Sequence, residues 1–353
     1  MIHNRHLMFW IATLVVFVLL LWLLSDILLP FAAGLALAYL QTPLADRLER
    51  LGMNRTLAAL MIVGVVVLTL ILLVLLLLPI LSAQAVALIA GIPTYAARMQ
   101  ALLADPGPAW LRPFLNGGDA GKTLTDLVTQ GTGHMAAVLA SLWSGGKALI
   151  SFISVLVIMP VVTFYLISDW HEMVATLDGW VPPQNRATVH RLVGEIDVAI
   201  SGFLRGQAGV CLIVGIYYAV ALSLIGLNFG LLIGLTAGLL TFMPYVGSMT
   251  GLLIAASVAV GQFWPQWTWI AAVVGVFLVG QFVEGNVLAP KLVGDHVGLH
   301  PVWLIFAMFA FGYLLGFVGL LIAVPLAATI AVLFRFGLNR YFASPVYLGE
   351  DSG

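Results

Sequence analysis

Glu284 is the residue most able to do chemistry in this chain, because it closes an apolar stretch, Ile270–Leu288, and opens the motif-rich run EGNVLAPKLVGDHVGLHP, Glu284–Pro301. A carboxylate at membrane depth is costly unless it is paired or wetted. Its side chain therefore reads either as a contact for a polar solute or as a site for a proton or monovalent cation. Lys291 and Asn286 are its candidate partners, and the plainer alternative is a boundary carboxylate among lipid headgroups. Tyr245, in PYVGS, supplies a phenol that with Asn286 can hydrogen-bond a polar solute. Asp169, at the end of TFYLISD, reads as a cap for the next turn, a partner for Arg205 or a gating carboxylate; Arg205 itself reads as a positive-side anchor. Pro244, Gly247, Gly251, Pro290, Gly312, Gly316, Gly319 and Pro325 mark backbone that bends, turns or approaches a neighbour closely.

Other chemistries lack their residues. Asp295, His296 and His300 have two of the right side-chain types for a metal, but no further ligand set accompanies them. No G-x-x-x-x-G-K-[ST] phosphate loop, G-x-S-x-G elbow or HExxH helix occurs, so neither an ATP motor nor a hydrolase is expected, and no cofactor. The single cysteine, Cys211, cannot form an intramolecular disulfide and reads as a small packing residue.

The elements that must hold Glu284 follow from composition. Of 353 residues, 62% are hydrophobic and 8% charged, against about 25% charged in a soluble domain. So few charges cannot cover a water-exposed surface, which makes the expected class all-α and membrane-spanning. A net charge of -1 excludes a broad cationic face for nucleic acid. Apolar runs of spanning length lie at Leu7–Leu24, Ile27–Leu40, Leu57–Leu81, Leu149–Ile167, Gln207–Ile225 and Ile270–Leu288. The first is longer than a signal-peptide core and has no small-residue cleavage site, so it reads as a retained span.

Two longer tracts are interrupted. Leu231–Val260 breaks at Pro244–Ser248, and Val302–Phe334 breaks at Gly312–Gly319, with Pro325 beyond. A break in lipid frees backbone groups that must be satisfied by protein or by a wet cavity, and transporters use such breaks to present backbone to a solute. The expectation is six spans plus two Gly/Pro-broken re-entrant hairpins, with eight plain spans as the alternative. The organisation follows: scaffold spans at 1–81, an amphipathic region at 82–142, a fourth span at 143–170, and a surface amphipathic helix at 171–205. A transport core at 206–335, containing tracts 231–260 and 302–334, and a tail at 336–353 complete it. Arg5, the Arg47–Arg55 group, the Arg186–Arg205 group and Arg335 with Arg340 fall on one side, which places both termini in the cytoplasm and 82–142 outside it. Trp264, Trp267 and Trp269 suit an interfacial belt.

Taken in order, TFYLISD ending at Asp169, GFLRGQ at 202–207, GLTAGLLTFMPYVGSMTG at 234–251, the run Glu284–Pro301 and FGYLLGFVGLLIAVPLAA at 311–328 make the chain resemble the autoinducer-2 exporter family of bacterial membrane permeases. The resemblance covers nearly the whole length. It implies a multispanning inner-membrane permease, a homo-oligomer, that exports a small polar signal; some relatives look like cation/proton antiporters. The expected function is thus a secondary transporter or facilitative exporter of a small polar organic solute such as autoinducer-2, moving its broken tracts against the early spans. The alternatives are a Na+(Li+)/H+ antiporter of the same fold and, in another class, a membrane scaffold or receptor.

Overall fold

The computed structural model describes residues 16, 19–20, 23–104, 146–244, 246–294, 300–344 and 347. Among these the regular elements are helices: α1 Ser25–Arg50, α2 Arg55–Ala104, α3 Gly146–Ser168, α4 Trp170–Gly179, α5 Arg186–Leu224, α6 Gly230–Leu240, α7 Val246–Phe263, α8 Trp267–Val283 and α9 Pro301–Phe342. A π-helical segment, Glu284–Val293, continues α8. Six of the described helices are long and apolar enough to cross a membrane, so the all-α, polytopic expectation holds. The six are not the six runs read from the sequence. Val246–Phe263 and Val302–Phe342 are among them, and the run Leu149–Ile167 lies within the 23-residue helix α3. The run Leu7–Leu24 lies almost wholly outside the described residues, as do 105–145.

Two elements run further than their polarity implies. The apolar run Leu57–Leu81 and the amphipathic stretch after it form one helix, α2. The amphipathic stretch Asn185–Arg205 and the run Gln207–Ile225 likewise join in α5. A change from apolar to amphipathic composition does not interrupt the backbone, because both patterns share the helical period.

The chain divides into two compact units. The first comprises Met1–Val67, Ile153–Gln207 and Pro290–Gly353; the second comprises Leu68–Phe152 and Ala208–Ala289. In the first, Ala38 and Ala45 of α1 pack with Ala59, Ile62 and Val63 of α2 and with Ile167 of α3. Small side chains let these helices approach closely. At Gly34 a Cβ would fall 2.8 Å from Val162 Cγ1, and the buried Thr163 hydroxyl, 3.0 Å from the Gly34 carbonyl, ties α3 to α1 there. Arg55, with a side chain only 10% exposed, closes one end of this bundle. Its Nε donates to the Ile167 carbonyl at 2.8 Å, and its Nη1 meets Asp46 at 3.1 Å and Glu49 at 2.8 Å. A cation on the last carbonyls of α3 also complements that helix end electrostatically.

The same unit holds the second interrupted tract, inside α9. Gly316 has φ 61° and ψ −139°, outside helical geometry. Beyond it the chain doubles back: Gly319 lies against the Phe311 carbonyl, and a Cβ on Gly312 would fall 2.9 Å from Leu320 Cδ2. Residues 311 and 312 thus face 319 and 320 across a turn at 315–316, which is a helical hairpin. Its first arm, 301–315, reaches about 22 Å at 1.5 Å per residue, short of a hydrocarbon core of about 30 Å.

The second unit holds the first interrupted tract. Helices α6 and α7 pack side by side, joined by the turn that contains Pro244. A Cβ on Gly247 would fall 2.6 Å from Thr241 Oγ1, and one on Gly251 would fall 2.6 Å from Ala237 Cβ. Residues four apart on one helix face residues four apart on the other in reverse order, so this tract too is a hairpin. Its base is pinned by Gln262, whose Oε1 accepts from Asn228 N at 2.7 Å and whose Nε2 donates to the Gly226 carbonyl at 2.8 Å. The start of α6 is held by Gln84 Oε1, which accepts from Leu232 N at 3.0 Å.

Candidate functional site

The second unit builds its polar centre by close backbone packing. Along α6, Gly230, Gly234 and Gly238 recur every four residues and present one bare stripe. The stripe lies against α5: Gly230 on Leu222, Gly234 on Tyr218 and Ala219, Gly238 on Gly215. The order is antiparallel, and the Cys211 carbonyl lies 3.2 Å from where a Gly238 Cβ would stand. Helix α8 then packs on α7 and on α5. Phe277 touches the Gly251 position from α8, and its ring stacks on Tyr218 with centroids 4.5 Å apart.

Tyr218 is the hinge of this arrangement. It is 0% exposed, and its hydroxyl oxygen is buried with no hydrogen-bond partner among the described residues. The ring sits where a side chain on Gly280 would otherwise stand, with the hydroxyl 2.7 Å from the Cβ position. Its neighbour Tyr217 is satisfied differently, donating to the Val276 carbonyl at 3.1 Å.

Glu284 lies one helical turn beyond Gly280 on the same face of α8. It caps α8 and begins the π-helical segment, and it is half-buried. Its Oε2 is buried with no hydrogen-bond partner among the described residues. The register of α7 on α8 fixes its height. If Gly251 faces Phe277, one turn further sets Gly247 beside Gln281, and the next brings the Pro244 turn level with Glu284. Thr241 and Ser248, both buried polar residues, flank that turn. The arrangement joins a carboxylate, a phenol and a hairpin tip in an otherwise apolar unit. Such a place can hold a polar solute or a proton.

The residues expected from the sequence divide accordingly. Gly247 and Gly251 pack α7 against α6, and Gly251 also meets Phe277 of α8, the helix that Glu284 caps. Tyr245 lies outside the described residues, as do Asp295 and His296. Asn286 is exposed, and its Nδ2 donates to the Phe282 carbonyl at 2.9 Å, one turn back on its own helix. Pro290 and Lys291 are exposed in the later half of the π-helical segment, which belongs to the first unit. There the Leu292 carbonyl and Val293 Cα press on Gly206 of α5, which gives the glycine of GFLRGQ a physical reason. Gly312, Gly316, Gly319 and Pro325 form the α9 hairpin of that unit. Asp169 is exposed and precedes α4 without a side-chain capping bond. Tyr218 and Gly280 are the pair that sequence reasoning missed. Their available signals were a phenol in the middle of an apolar run and a glycine four residues before the lone carboxylate.

Apolar helices of spanning length, two of them folded into hairpins, and a carboxylate buried among them define a polytopic helical membrane protein of the transporter kind. The AI-2E family transporter profile matches residues 11–339, and the chain belongs to that family. It is similar to YrrI of Bacillus subtilis (strain 168), described as a transport protein, with 27% identity over 88% of this chain and 87% of that one. It is also similar to PerM of Escherichia coli (strain K12), described as a permease, with 30% identity over 87% of this chain and 86% of that one. A third relative, YueF of Bacillus subtilis (strain 168), is again described as a transport protein, at 24% identity over 88% and 84%. These relatives are described as transporters and permeases rather than enzymes, and this chain is a multi-pass membrane transporter.

Proposed function

We propose that the chain is a secondary transporter or facilitative exporter of a small polar organic solute, with autoinducer-2 the candidate that the family name brings forward. The observation that carries the reading is Glu284 Oε2, buried with no hydrogen-bond partner among the described residues, in the unit that holds the α6–α7 hairpin. An unpaired carboxylate in an apolar unit is expensive and is retained when something else completes it. In this reading Glu284 accepts hydrogen bonds from the solute, the turn at Pro244–Gly247 offers backbone, and the hairpin shifts against α5 and α8 to change access. Asn286, Tyr245 and Lys291 act around the rim; Gly251, Pro290, Asp169 and the α9 turn with Gly312, Gly316, Gly319 and Pro325 serve gating. We further place the protein in the bacterial inner membrane as a homo-oligomer with both termini in the cytoplasm, following the arginine clusters read above.

A second reading keeps the site and changes the cargo. A carboxylate that is buried without a counter-charge is also a group suited to exchange a proton for a monovalent cation. Flux in liposomes containing the purified protein separates the two. Autoinducer-2 movement that needs no Na+ or Li+ gradient supports the solute reading, whereas proton efflux on adding Na+ or Li+, with no solute movement, supports antiport. Neither flux in any gradient sinks both and favours a scaffold or receptor.

A further inference from the structure

We propose that Tyr218 is a solute-contacting residue that shares one hydroxyl group of the cargo with Glu284, and that Gly280 is a glycine because it makes room for the Tyr218 ring in that position. The inference deepens the solute reading above and rests on it.

The geometry carries the proposal. Among the described residues of the second unit, two polar side-chain atoms are buried with no hydrogen-bond partner, Tyr218 Oη and Glu284 Oε2, and both sit at the same face of α8 one turn apart. Leaving a buried polar atom unsatisfied is costly, and more so for a charge, so two such atoms one helical turn apart along α8 form a half-built site. Tyr217, next in sequence, shows the alternative, since its hydroxyl finds the Val276 carbonyl and closes. Tyr218 is instead held rigidly by its stack on Phe277 and by the bare Gly280 backbone.

The chemistry of the two atoms selects the ligand. A carboxylate only accepts, while a phenol donates and accepts. A group that can donate to Glu284 and exchange a bond with Tyr218 is an alcohol hydroxyl. The class of cargo is therefore a small molecule that carries an alcohol, seated by one hydroxyl between these two side chains. Two oxygens are too few to replace the hydration shell of a bare metal cation, which takes about six oxygen ligands when held by protein.

The test uses the full-length protein in liposomes with autoinducer-2 as the polyol probe, together with thermal unfolding in detergent with and without the probe. Y218F is expected to raise the half-saturating concentration about tenfold, the worth of one good hydrogen bond, with little change in the maximum rate. It should leave the probe-free melting temperature unchanged or higher, because it removes an unpaired buried hydroxyl. E284Q and Y218F together should lose clearly less affinity than the product of the two single losses, since both bonds are made to one hydroxyl. Wild-type flux with an unaltered Y218F profile, or with losses that multiply in the double variant, overturns the inference and leaves the solute reading standing. A wild-type protein that moves no polyol overturns the solute reading and the inference with it.

Discussion

At the scale of single residues, the account depends on what glycine at 280 permits. A Cβ there would intrude on the Tyr218 ring and hydroxyl, and that ring is buried against Phe277 with little room to retreat. Overpacking of this kind costs about 1–3 kcal/mol. G280A should therefore lower the melting temperature and weaken transport together, while G275A, where a Cβ meets open space, should change neither; paired melting and flux measurements check this. Glu284 was legible from the sequence because an acidic residue in an apolar run stands out by type alone. Tyr218 was not, because aromatic residues in apolar runs are common and its lack of a partner exists only in three dimensions. Asn286 was legible only in part. Its polarity is visible, but the Phe282 carbonyl that occupies it is not.

At the scale of elements, the interruptions were the readable feature. Both tracts fold back where Gly and Pro cluster, since these residues alone tolerate or force the necessary torsions. Gly316 is the clearest case, with a positive φ and a ψ of −139° that L side chains rarely adopt. G316A should cost about 1–3 kcal/mol and loosen the α9 hairpin, seen as faster hydrogen exchange at 311–320; unchanged protection would show that the turn tolerates a side chain. Less legible was the continuity of α2 and α5, where composition changes but the helical period persists. The glycine stripe of α6 was visible as a four-residue spacing, yet its partner on α5 was not, because a spacing names a face and not what lies against it.

The corner between α4 and α5 offers a pH test at the same scale. Asp178 accepts from His190 and pairs with Arg186 at 3.1 Å. The His190 hydrogen bond, with help from the charges of Arg186 and His190, holds its carboxyl below the usual carboxylate range. A group with a lowered folded value stabilises above its unfolded pKa, about 3.9, and loses that contribution as pH falls through the folded value. Hydrogen exchange at 178–190, corrected for intrinsic rates, should accelerate as pH drops through that region. D178N should remove the pH dependence, and a corner that responds identically in both proteins would contradict the assignment.

At the scale of the whole molecule, class and function are legible to different depths. Membrane residence was close to forced by 8% charged residues, and family membership follows from a match across residues 11–339. How the chain divides into units was not readable, because α2, α5 and the π-helical segment each pass from one unit into the other without a break in sequence pattern. Orientation is the prediction that belongs here. Single cysteines at exposed Arg205 and Lys291, in a protein with Cys211 replaced by alanine, should react with a membrane-impermeant thiol reagent only from the cytoplasmic side. That outcome is the one expected if the first tract is re-entrant, and periplasmic labelling at 291 with cytoplasmic labelling at 205 would mean that it crosses.

The central claim is that solute passes by Glu284 at the tip of the α6–α7 hairpin. Its most direct test is autoinducer-2 flux into liposomes carrying equal amounts of folded wild-type protein or E284Q. The account predicts saturable flux for the wild type and a loss of at least about tenfold for E284Q, equivalent to about 1.4 kcal/mol or more. Equal flux through the two proteins would contradict it.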